Sequence, residues 1–213
     1  MINEIYPNYS PNFKYVYEIK KDTFKRANKI ICISNKTKED LIKYFDVETH
    51  KIEVTHLSST FENYKLEKSN YKKFNDCLLF VGSRYGYKNF ERFLSAYSKS
   101  NYLKNNFRII FYGGEKPNSY DYKVINKNNI NFKNILFFND LDFSLSYMYS
   151  NVLALIYPSM YEGFGIPILE AMTLGCPVIS SNGGALREVG GDGLQYFNPN
   201  EIDDIKNKLE NFL

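Results

Sequence analysis

Short apolar and aromatic runs alternate with longer amphipathic segments from residue 77 to the end of the chain, and most runs end in or near Gly, Pro, Ser or Asn. Most of these runs are apolar at every position, as expected for strands covered on both faces of a parallel sheet. The predicted strands are 77–82, 107–113, 135–138, 152–157, 177–181 and 194–197. The predicted helices are 89–100, 120–128, 143–150, 166–174, 185–189 and 201–212. This alternation predicts an α/β fold with a doubly wound parallel sheet and right-handed crossovers.

Residues 1–61 show the same alternation but contain too few strands for a sheet of their own. The predicted elements there are a helix at 15–27, a strand at 29–33, a second helix and a strand at 51–57. One or two strands do not form an independently stable sheet. We therefore interpret 1–61 as a short remnant of a second domain with a linker strand, 62–76 as a polar linker, and 77–213 as the main domain.

The second helix of this N-terminal part carries a helix-start signal. The segment Thr37-Lys38-Glu39-Asp40 resembles a capping box, in which Thr37 accepts a hydrogen bond from a backbone N–H and Asp40 accepts one in return. The pattern predicts that the helix begins at this segment.

The composition is that of a packed globular protein. The 213 residues are 44% hydrophobic and 17% aromatic, which argues against disorder. Lys+Arg 27 against Asp+Glu 24 gives a net charge of +3, which is too small to indicate a nucleic-acid partner. The cysteines Cys32, Cys77 and Cys176 lie far apart in apolar segments, so we expect buried reduced thiols rather than disulfides or metal ligands.

The sequence contains no segment that is predicted to span a membrane. Its longest apolar run, 152–157, is much shorter than the roughly 18–20 residues that a spanning helix needs. The first 15 residues are rich in Asn, Pro and Tyr and have no apolar stretch of signal-peptide length. We expect a cytoplasmic protein, and the sequence leaves peripheral contact with a membrane open.

The segment YPSMYEGFGIPILEAM, residues 157–172, predicts a ligand site at the end of a buried strand. A loop with Gly163 and Gly165 leads into a helix that has Pro167 in its first turn, where the missing N–H of proline costs little. Such a helix start points free N–H groups at a ligand, and the glycines allow the backbone to approach it closely. The pattern predicts a pocket for a phosphorylated or polyhydroxylated molecule.

Two carboxylates, Glu162 and Glu170, flank this turn. Ionised carboxylates only accept hydrogen bonds, so they suit the vicinal hydroxyls of a ribose or a hexose better than a phosphate. The alternative interpretation is structural, with Glu162 as a helix cap and Glu170 on a solvated helix face.

A second strand–loop–helix unit, FVGSRYGYKN at 80–89, carries two cations. Arg84 and Lys88 would stand at the carboxyl end of a strand, where they could hold a diphosphate; otherwise they are solvated loop residues. The loop lacks the Gly-x-Gly-x-x-Gly pattern, which argues against a dinucleotide-dependent dehydrogenase. We expect this loop and the glycine turn to converge on one crevice.

These segments, together with GCPVISSN and REVGGDG, resemble consecutive blocks of retaining glycosyltransferases of the GT-B type, specifically glycosyltransferase family 4. The resemblance covers about residues 28–213, because ANKIICISNKTKEDLIKYF is similar to the final unit of that family's N-terminal domain. It implies a Rossmann-like donor-binding domain whose substrate is a nucleoside-diphosphate sugar, with no metal or other cofactor.

The resemblance also implies roles for individual residues. Arg84 and Lys88 would hold the diphosphate, Glu162 would contact the sugar, and Glu170 would accept from the ribose hydroxyls. The loops after Gly113 and Phe138 would border the base. The further donor-binding residues that follow from the resemblance are Gly82, Gly113, Asn139, Gly163, Phe164 and Gly165.

The family's N-terminal domain binds the acceptor, and we expect most of it to be absent from this chain. One hypothesis is a donor-binding module that transfers a glycosyl group with retention when a partner chain or a homo-oligomer completes the site. The other is a catalytically silent domain that binds a nucleotide sugar. Exposed apolar surface within residues 6–24 would favour the first hypothesis.

A third interpretation is a metal-dependent transferase with a single Rossmann-like domain, suggested by Asp140-Leu141-Asp142. Since this triplet precedes a predicted helix, where Asp is a common cap, a structural role explains it as well. His50 and His56 border a predicted strand, and we expect them to be surface or hydrogen-bonded residues rather than catalysts.

Overall fold

The computed structural model describes residues 2–9, 12–61, 74–139 and 144–213. Within these residues the strands are β1 (Ile30–Cys32), β2 (Ile52–Val54), β3 (Phe74–Val81), β4 (Arg108–Tyr112), β5 (Ile135–Phe138), β6 (Val152–Tyr157), β7 (Val178–Ser181) and β8 (Gln195–Phe197). The α-helices are α1 (Ile2–Ile5), α2 (Phe13–Arg26), α3 (Asn35–Phe45), α4 (Phe90–Ser98), α5 (Asn101–Asn106), α6 (Ser119–Lys127), α7 (Leu145–Asn151), α8 (Ile166–Thr173), α9 (Leu186–Gly190) and α10 (Ile202–Phe212).

Six of these strands form one parallel sheet in the order β5-β4-β3-β6-β7-β8. The predicted doubly wound α/β fold is therefore confirmed. Along the chain, β3, β4 and β5 are added toward one edge of the sheet, and β6, β7 and β8 are added toward the other edge. The direction of winding therefore reverses between the neighbours β3 and β6. In open α/β sheets, ligands bind beyond the carboxyl ends of the strands at such a reversal. A ligand site is therefore expected at the loops that follow β3 and β6.

The sheet separates two apolar layers. Successive side chains of β3 alternate between them, with Leu78 and Phe80 in one layer and Cys77 and Leu79 in the other. Helices α4 and α10 cover the first layer, and α7 and α8 cover the second. Because both faces are covered, the strands are apolar at nearly every position, which is why the sequence pattern predicted them correctly.

Most observed elements differ from the predicted ones by one to three residues at a boundary. Strand β3 begins at Phe74, so the last three residues of the predicted linker belong to the sheet. Helix α5 was not predicted; its segment NYLKNN is polar, and Ser100 caps it by accepting from the Leu103 N–H. The rest of the linker, 62–73, and the triplet Asp140-Leu141-Asp142 lie outside the described residues.

The N-terminal part contains a separate two-stranded parallel sheet, β1 with β2. Its small core holds Cys32, Leu41, Val47 and Ile52, and helix α2 adds Phe24, which packs edge-on against Phe45. A sheet of two strands gains most of its stability from packing against other elements.

The predicted capping box at the start of α3 is wrong. The helix begins at Asn35, and its cap is Ser34, whose Oγ accepts the Thr37 N–H at 3.0 Å. The Thr37 hydroxyl and the buried Asp40 carboxylate are turned to other partners. Ser34 precedes Thr37 by three residues, so it satisfies the free N–H of the first turn and leaves the Thr37 side chain available.

The three cysteines are buried and free, as predicted. Burial raises the pKa of the Cys77 thiol to about 12, so this thiol stays protonated and unreactive near neutral pH. None of the helices in the described ranges is long and apolar enough to cross a bilayer.

Candidate functional site

The loops that follow β3 and β6 meet at the carboxyl edge of the sheet. The Met160 N–H donates to the Tyr87 carbonyl at 2.7 Å, and the Asn89 side-chain amide donates to the Pro158 carbonyl at 3.0 Å. Asn89 is buried and left-handed, with a φ of 64°, and its amide also reaches the Pro199 carbonyl at 2.8 Å. The predicted meeting of the two loops is therefore observed, and Asn89 is one of the residues that connect them.

A compact polar group joins the two loops at their centre. The Lys88 ammonium lies 2.7 Å from Oε1 of Glu162 and 3.1 Å from the Tyr157 hydroxyl, which itself donates to Oε1 of Glu162 at 3.0 Å. Tyr157 and Glu162 are buried, and Lys88 is mostly shielded. Burial and the neighbouring Glu162 carboxylate raise the pKa of Tyr157 well above its ordinary value, so the phenol remains a donor. Tyr157 was missed in the sequence because it ends an ordinary apolar strand.

The glycine turn owes its course to close packing on α9 and the loop before it. Gly165 has a φ of 107°, and a Cβ there would lie 2.6 Å from Cδ2 of Leu186. A Cβ on Gly184 would lie 2.2 Å from the Glu162 carbonyl oxygen, which accepts the Ala185 N–H at 2.9 Å. Gly184 therefore permits a backbone approach that holds Glu162 in place, beyond the simple turn that its sequence suggests.

Glu170 lies on α8 and is half-buried rather than on a solvated face. Its Oε2 accepts from the Tyr149 hydroxyl at 3.2 Å, and the Thr60 hydroxyl lies 3.5 Å from its Oε1. Burial raises the pKa of this carboxyl above its ordinary value, against the opposing effect of the two hydroxyl donors. Glu170 is thus a partly desolvated acceptor with unused hydrogen-bonding capacity.

Arg84 does not face the centre of the two loops, in contrast to the prediction that it holds a diphosphate beside Lys88. Its guanidinium is buried and forms a two-pronged pair with Asp121, at 3.0 and 3.1 Å. It also donates to the carbonyls of Gly113 and Glu115, at 3.2 and 2.6 Å. These bonds use the planar fork of the side chain to fix the loop after β4.

The loops after Gly113 and Phe138 border a common cavity, because their strands β4 and β5 are neighbours in the sheet. It has a volume of about 120 Å³, and Gly113, Phe137 and Asn139 line it together with Arg84. Gly82 lies on the side of the lysine: a Cβ there would be 3.7 Å from Cε of Lys88. Gly82 also borders the loop after β4, since a Cβ on Gly114 would lie 3.2 Å from the Gly82 carbonyl oxygen and 3.4 Å from the Arg84 guanidinium.

The contacts between the N-terminal part and the main domain were not predicted. Glu188 on α9 accepts hydrogen bonds from the backbone N–H groups of Asn35 and Lys36, at 2.7 and 3.2 Å. The Nε2 atom of His56 lies 2.7 Å from Glu188 Oε1, so this histidine is hydrogen-bonded, as expected. The carbonyl of Gly163 accepts from the hydroxyls of Ser34 and Thr37 at 2.7 and 3.1 Å.

Comparison with known proteins places this chain in a family. Residues 62–213 match the family described as "Glycosyl transferases group 1". The O-antigen chain mannosyltransferase RfbU of Salmonella typhimurium is 28% identical over 221 residues, covering 99% of this chain and 59% of that protein. The O-antigen chain mannosyltransferase B of Escherichia coli is 50% identical over 64 residues, covering 30% of this chain and 17% of that protein.

A solved structure shares the fold. The crystal structure of Anabaena Alr3699/HepE in complex with UDP and glucose superimposes with a TM-score of 0.76 at 17% identity, covering 92% of this chain and 56% of that one. The chain thus spans less than two thirds of the length of each of these relatives. Since the family match extends over more than half of the chain, this protein belongs to the group 1 glycosyltransferases and has their Rossmann-like GT-B architecture.

Proposed function

We propose that this chain binds a nucleoside-diphosphate sugar between the loops 82–89 and 158–165 and supplies the donor side of a retaining glycosyl transfer. The observation that carries the proposal is the shielded pair of Lys88 and Glu162, which joins the two loops at the reversal of strand order. A cation and a carboxylate side by side suit a ligand in which a phosphate adjoins a hydroxylated ring.

In this proposal Lys88 and the N–H groups of Gly163, Phe164 and Gly165 hold the diphosphate, and Glu162 accepts from the sugar hydroxyls. Glu170 accepts from the ribose, for which its unused lone pairs are suited. The cavity beside Gly113 and Asn139 takes part of the base. No metal is assigned a role.

The chemical contribution of these groups is electrostatic. When the bond between the anomeric carbon and the diphosphate oxygen breaks, its electron pair leaves with the diphosphate, which gains negative charge. Donors that are already in place stabilise this charge more in the transition state than in the ground state. Loss of one such donor typically costs about 2.7–4 kcal/mol of barrier, or about 10²–10³ in rate. We assign this role to Lys88 and the amides at the start of α8.

Arg84 has an indirect role in this proposal. Its bonds to Asp121 and to the carbonyls of Gly113 and Glu115 occupy the guanidinium and leave the diphosphate to Lys88. Arg84 would therefore shape the base side of the site by holding the loop after β4, and its loss would act on base recognition.

We further propose a mannosyl donor and a growing polysaccharide as acceptor, because RfbU and the mannosyltransferase B of Escherichia coli are named for transfer of mannose to an O-antigen chain. The acceptor side would come from a partner polypeptide or a second copy of this chain. In support, Tyr15 and Ile19, one turn apart on α2, are 70% and 49% exposed. This is the apolar surface that favours the partner hypothesis over a silent binding domain.

Two measurements test the proposal. Thermal unfolding of the purified chain with a panel of nucleotide sugars should show stabilisation by a mannose nucleotide above that by its nucleoside diphosphate, since a bound ligand raises stability by mass action. Transfer and donor hydrolysis are then measured with the chain alone and with candidate partners, and the anomeric configuration of the product is read by NMR. Stabilisation by no nucleotide sugar would refute donor binding, and binding without turnover under every condition would leave the silent binding domain.

A further inference from the structure

The start of α3 contacts the glycine turn through side chains, across more than 120 positions of sequence. The hydroxyls of Ser34 and Thr37 both donate to the carbonyl oxygen of Gly163. The Tyr161 hydroxyl donates to the carboxylate of Asp40, whose other oxygen lies 3.2 Å from the Lys36 ammonium. Two residues of the glycine turn, one on each side of Glu162, are therefore bound to the N-terminal part of the chain.

The three α3 positions are spaced for this contact. Residues 34, 37 and 40 recur every three positions and so share one face of the helix start. Ser34 and Asp40 are 0% and 2% exposed, and Tyr161 is buried as well. A Cβ on Gly163 would lie 3.4 Å from Oγ1 of Thr37, an ordinary contact distance, so the two residues are packed against each other. Buried polar groups with matched partners on both sides indicate a specific junction rather than an incidental one.

We propose that Ser34, Thr37 and Asp40 are positioning residues that hold the glycine turn in its donor-binding geometry; this inference rests on the proposed function. A trans peptide unit is planar, and its C=O and N–H point in opposite directions. The Gly163 carbonyl shares its peptide unit with the Phe164 N–H. Hydroxyls that draw this carbonyl toward α3 therefore aim the Phe164 N–H away from α3.

The same contacts restrict Glu162. Its neighbour Tyr161 is bound to Asp40, its neighbour Gly163 is bound to Ser34 and Thr37, and its own carbonyl accepts the Ala185 N–H. The backbone of Glu162 thus has fixed points before, at and after it. Its carboxylate can therefore pair with Lys88 without the entropy loss of ordering a free loop.

The test compares variants that remove one hydroxyl with little change of shape. Thr37→Val and Tyr161→Phe each remove one hydroxyl, from opposite sides of the junction. Thr37→Ser keeps the hydroxyl and removes only the methyl group, and Thr23→Val is the matched control. Thr23 is exposed on α2, and its hydroxyl bonds only within its own helix, to Ile19 at 2.8 Å. For each variant, dissociation constants are measured by calorimetry for the nucleotide sugar that best stabilises the wild type and for the matching nucleoside diphosphate.

Thr37→Val and Tyr161→Phe should weaken the nucleotide sugar about three- to tenfold, as expected for loss of about one hydrogen bond. They should weaken the nucleoside diphosphate by a smaller factor, because it keeps its contact with Lys88 and lacks the contact of the sugar with Glu162. Thr37→Ser and Thr23→Val should bind both ligands like the wild type. The effects of Thr37→Val and Glu162→Gln should be less than additive, since both act through the same contact with the sugar. This selective loss is a result that a general weakening of the fold would not produce.

The failures of the two proposals are distinguishable. The wild type could bind nucleotide sugars while Thr37→Val and Tyr161→Phe keep the same preference for the nucleotide sugar over the nucleoside diphosphate. This result would overturn the positioning role and leave the proposed function standing. Equal weakening of both ligands would also overturn it, because the junction would then support the fold in general. A wild-type chain that binds no nucleotide sugar would refute the proposed function and the positioning role with it.

Discussion

The ammonium of Lys88 lies 2.7 Å from Oε1 of Glu162, although 74 positions separate the two residues in the chain. Each belongs to a loop on one side of the reversal in strand order, so the pair marks where the two halves of the sheet meet. Both side chains are largely shielded from solvent, at 15% and 11% exposure. Removal of either charge leaves the other partly desolvated, so substitutions here act on ligand binding and on stability together.

Lys88→Ala should weaken the binding of the nucleotide sugar and of the free nucleoside diphosphate alike, because the diphosphate is common to both. A hydrogen bond to a charged group contributes about 1.5–3 kcal/mol, which corresponds to about a 10- to 100-fold rise in the dissociation constant. Calorimetric titration of both ligands measures it, with Lys123→Ala on the exposed side of α6 as the control. Wild-type affinity for both ligands would remove Lys88 from the diphosphate site.

Glu162→Gln should separate the two ligands. The variant loses a charged acceptor for the sugar, and we expect the intact donor to bind about 10-fold more weakly. The free nucleoside diphosphate should bind as well as before or more tightly, because Lys88 no longer faces a carboxylate. Competition titrations of both ligands against one fluorescent nucleotide give the ratio directly. If that ratio equals the wild-type value, Glu162 has no role toward the sugar.

Glu170→Gln should abolish discrimination between a nucleoside diphosphate and its 2′-deoxy counterpart. The wild type should favour the ribose form, since an ionised carboxylate accepts from the 2′-hydroxyl, whereas an amide is a weaker acceptor. The half-buried position of Glu170 and its bond to Tyr149 hold the acceptor in one place. Titration of both nucleotides into both proteins tests this expectation. A preference that survives in the variant would place the ribose elsewhere.

The sheet was predictable because its signal is local. Strands β5 and β6 occur at the predicted residues, since a strand buried on both faces needs an unbroken apolar run that any reader of the sequence can see. The placement of Lys88 and Glu162 followed from the same logic, because parallel strands bring their carboxyl ends to one edge. Glycines and a proline around the turn at 163–167 identified the start of α8.

The hydrogen-bond partners of individual side chains were not predictable, because they come from residues far away in the sequence. Arg84 resembles any other loop cation until Asp121, 37 positions later, is placed beside it by α6. Ser34 and Thr37 are both good helix caps in the sequence; in the fold Ser34 caps α3, and both hydroxyls donate to the Gly163 carbonyl, which is brought close from far along the chain. Likewise, nothing in the sequence around Glu188 indicates that its carboxylate accepts hydrogen bonds from the N–H groups of Asn35 and Lys36.

Glu188→Gln should destabilise the fold near neutral pH by about 1 kcal/mol, because the carboxylate accepts from Asn35, Lys36 and His56 in a solvent-screened position at the junction of the N-terminal part. Burial by itself raises the pKa of Glu188, but the hydrogen bonds from these three residues outweigh it, and the pKa is lowered below the ordinary 4.5. The unfolded chain therefore binds more protons than the folded one in the window just below pH 4.5, and stability rises with pH there.

The wild type should thus be more stable than Glu188→Gln above pH 4.5, and the margin should shrink as the pH falls below 4.5 through the lowered pKa of the folded state. Urea unfolding at a series of pH values measures the difference, and Glu18→Gln, an exposed position on α2, provides the control. Because other carboxyls titrate in both proteins, only the difference between them reports on Glu188. A margin that is absent at neutral pH, or that does not shrink as the pH falls below 4.5, would show that Glu188 does not hold the two parts together through its charge.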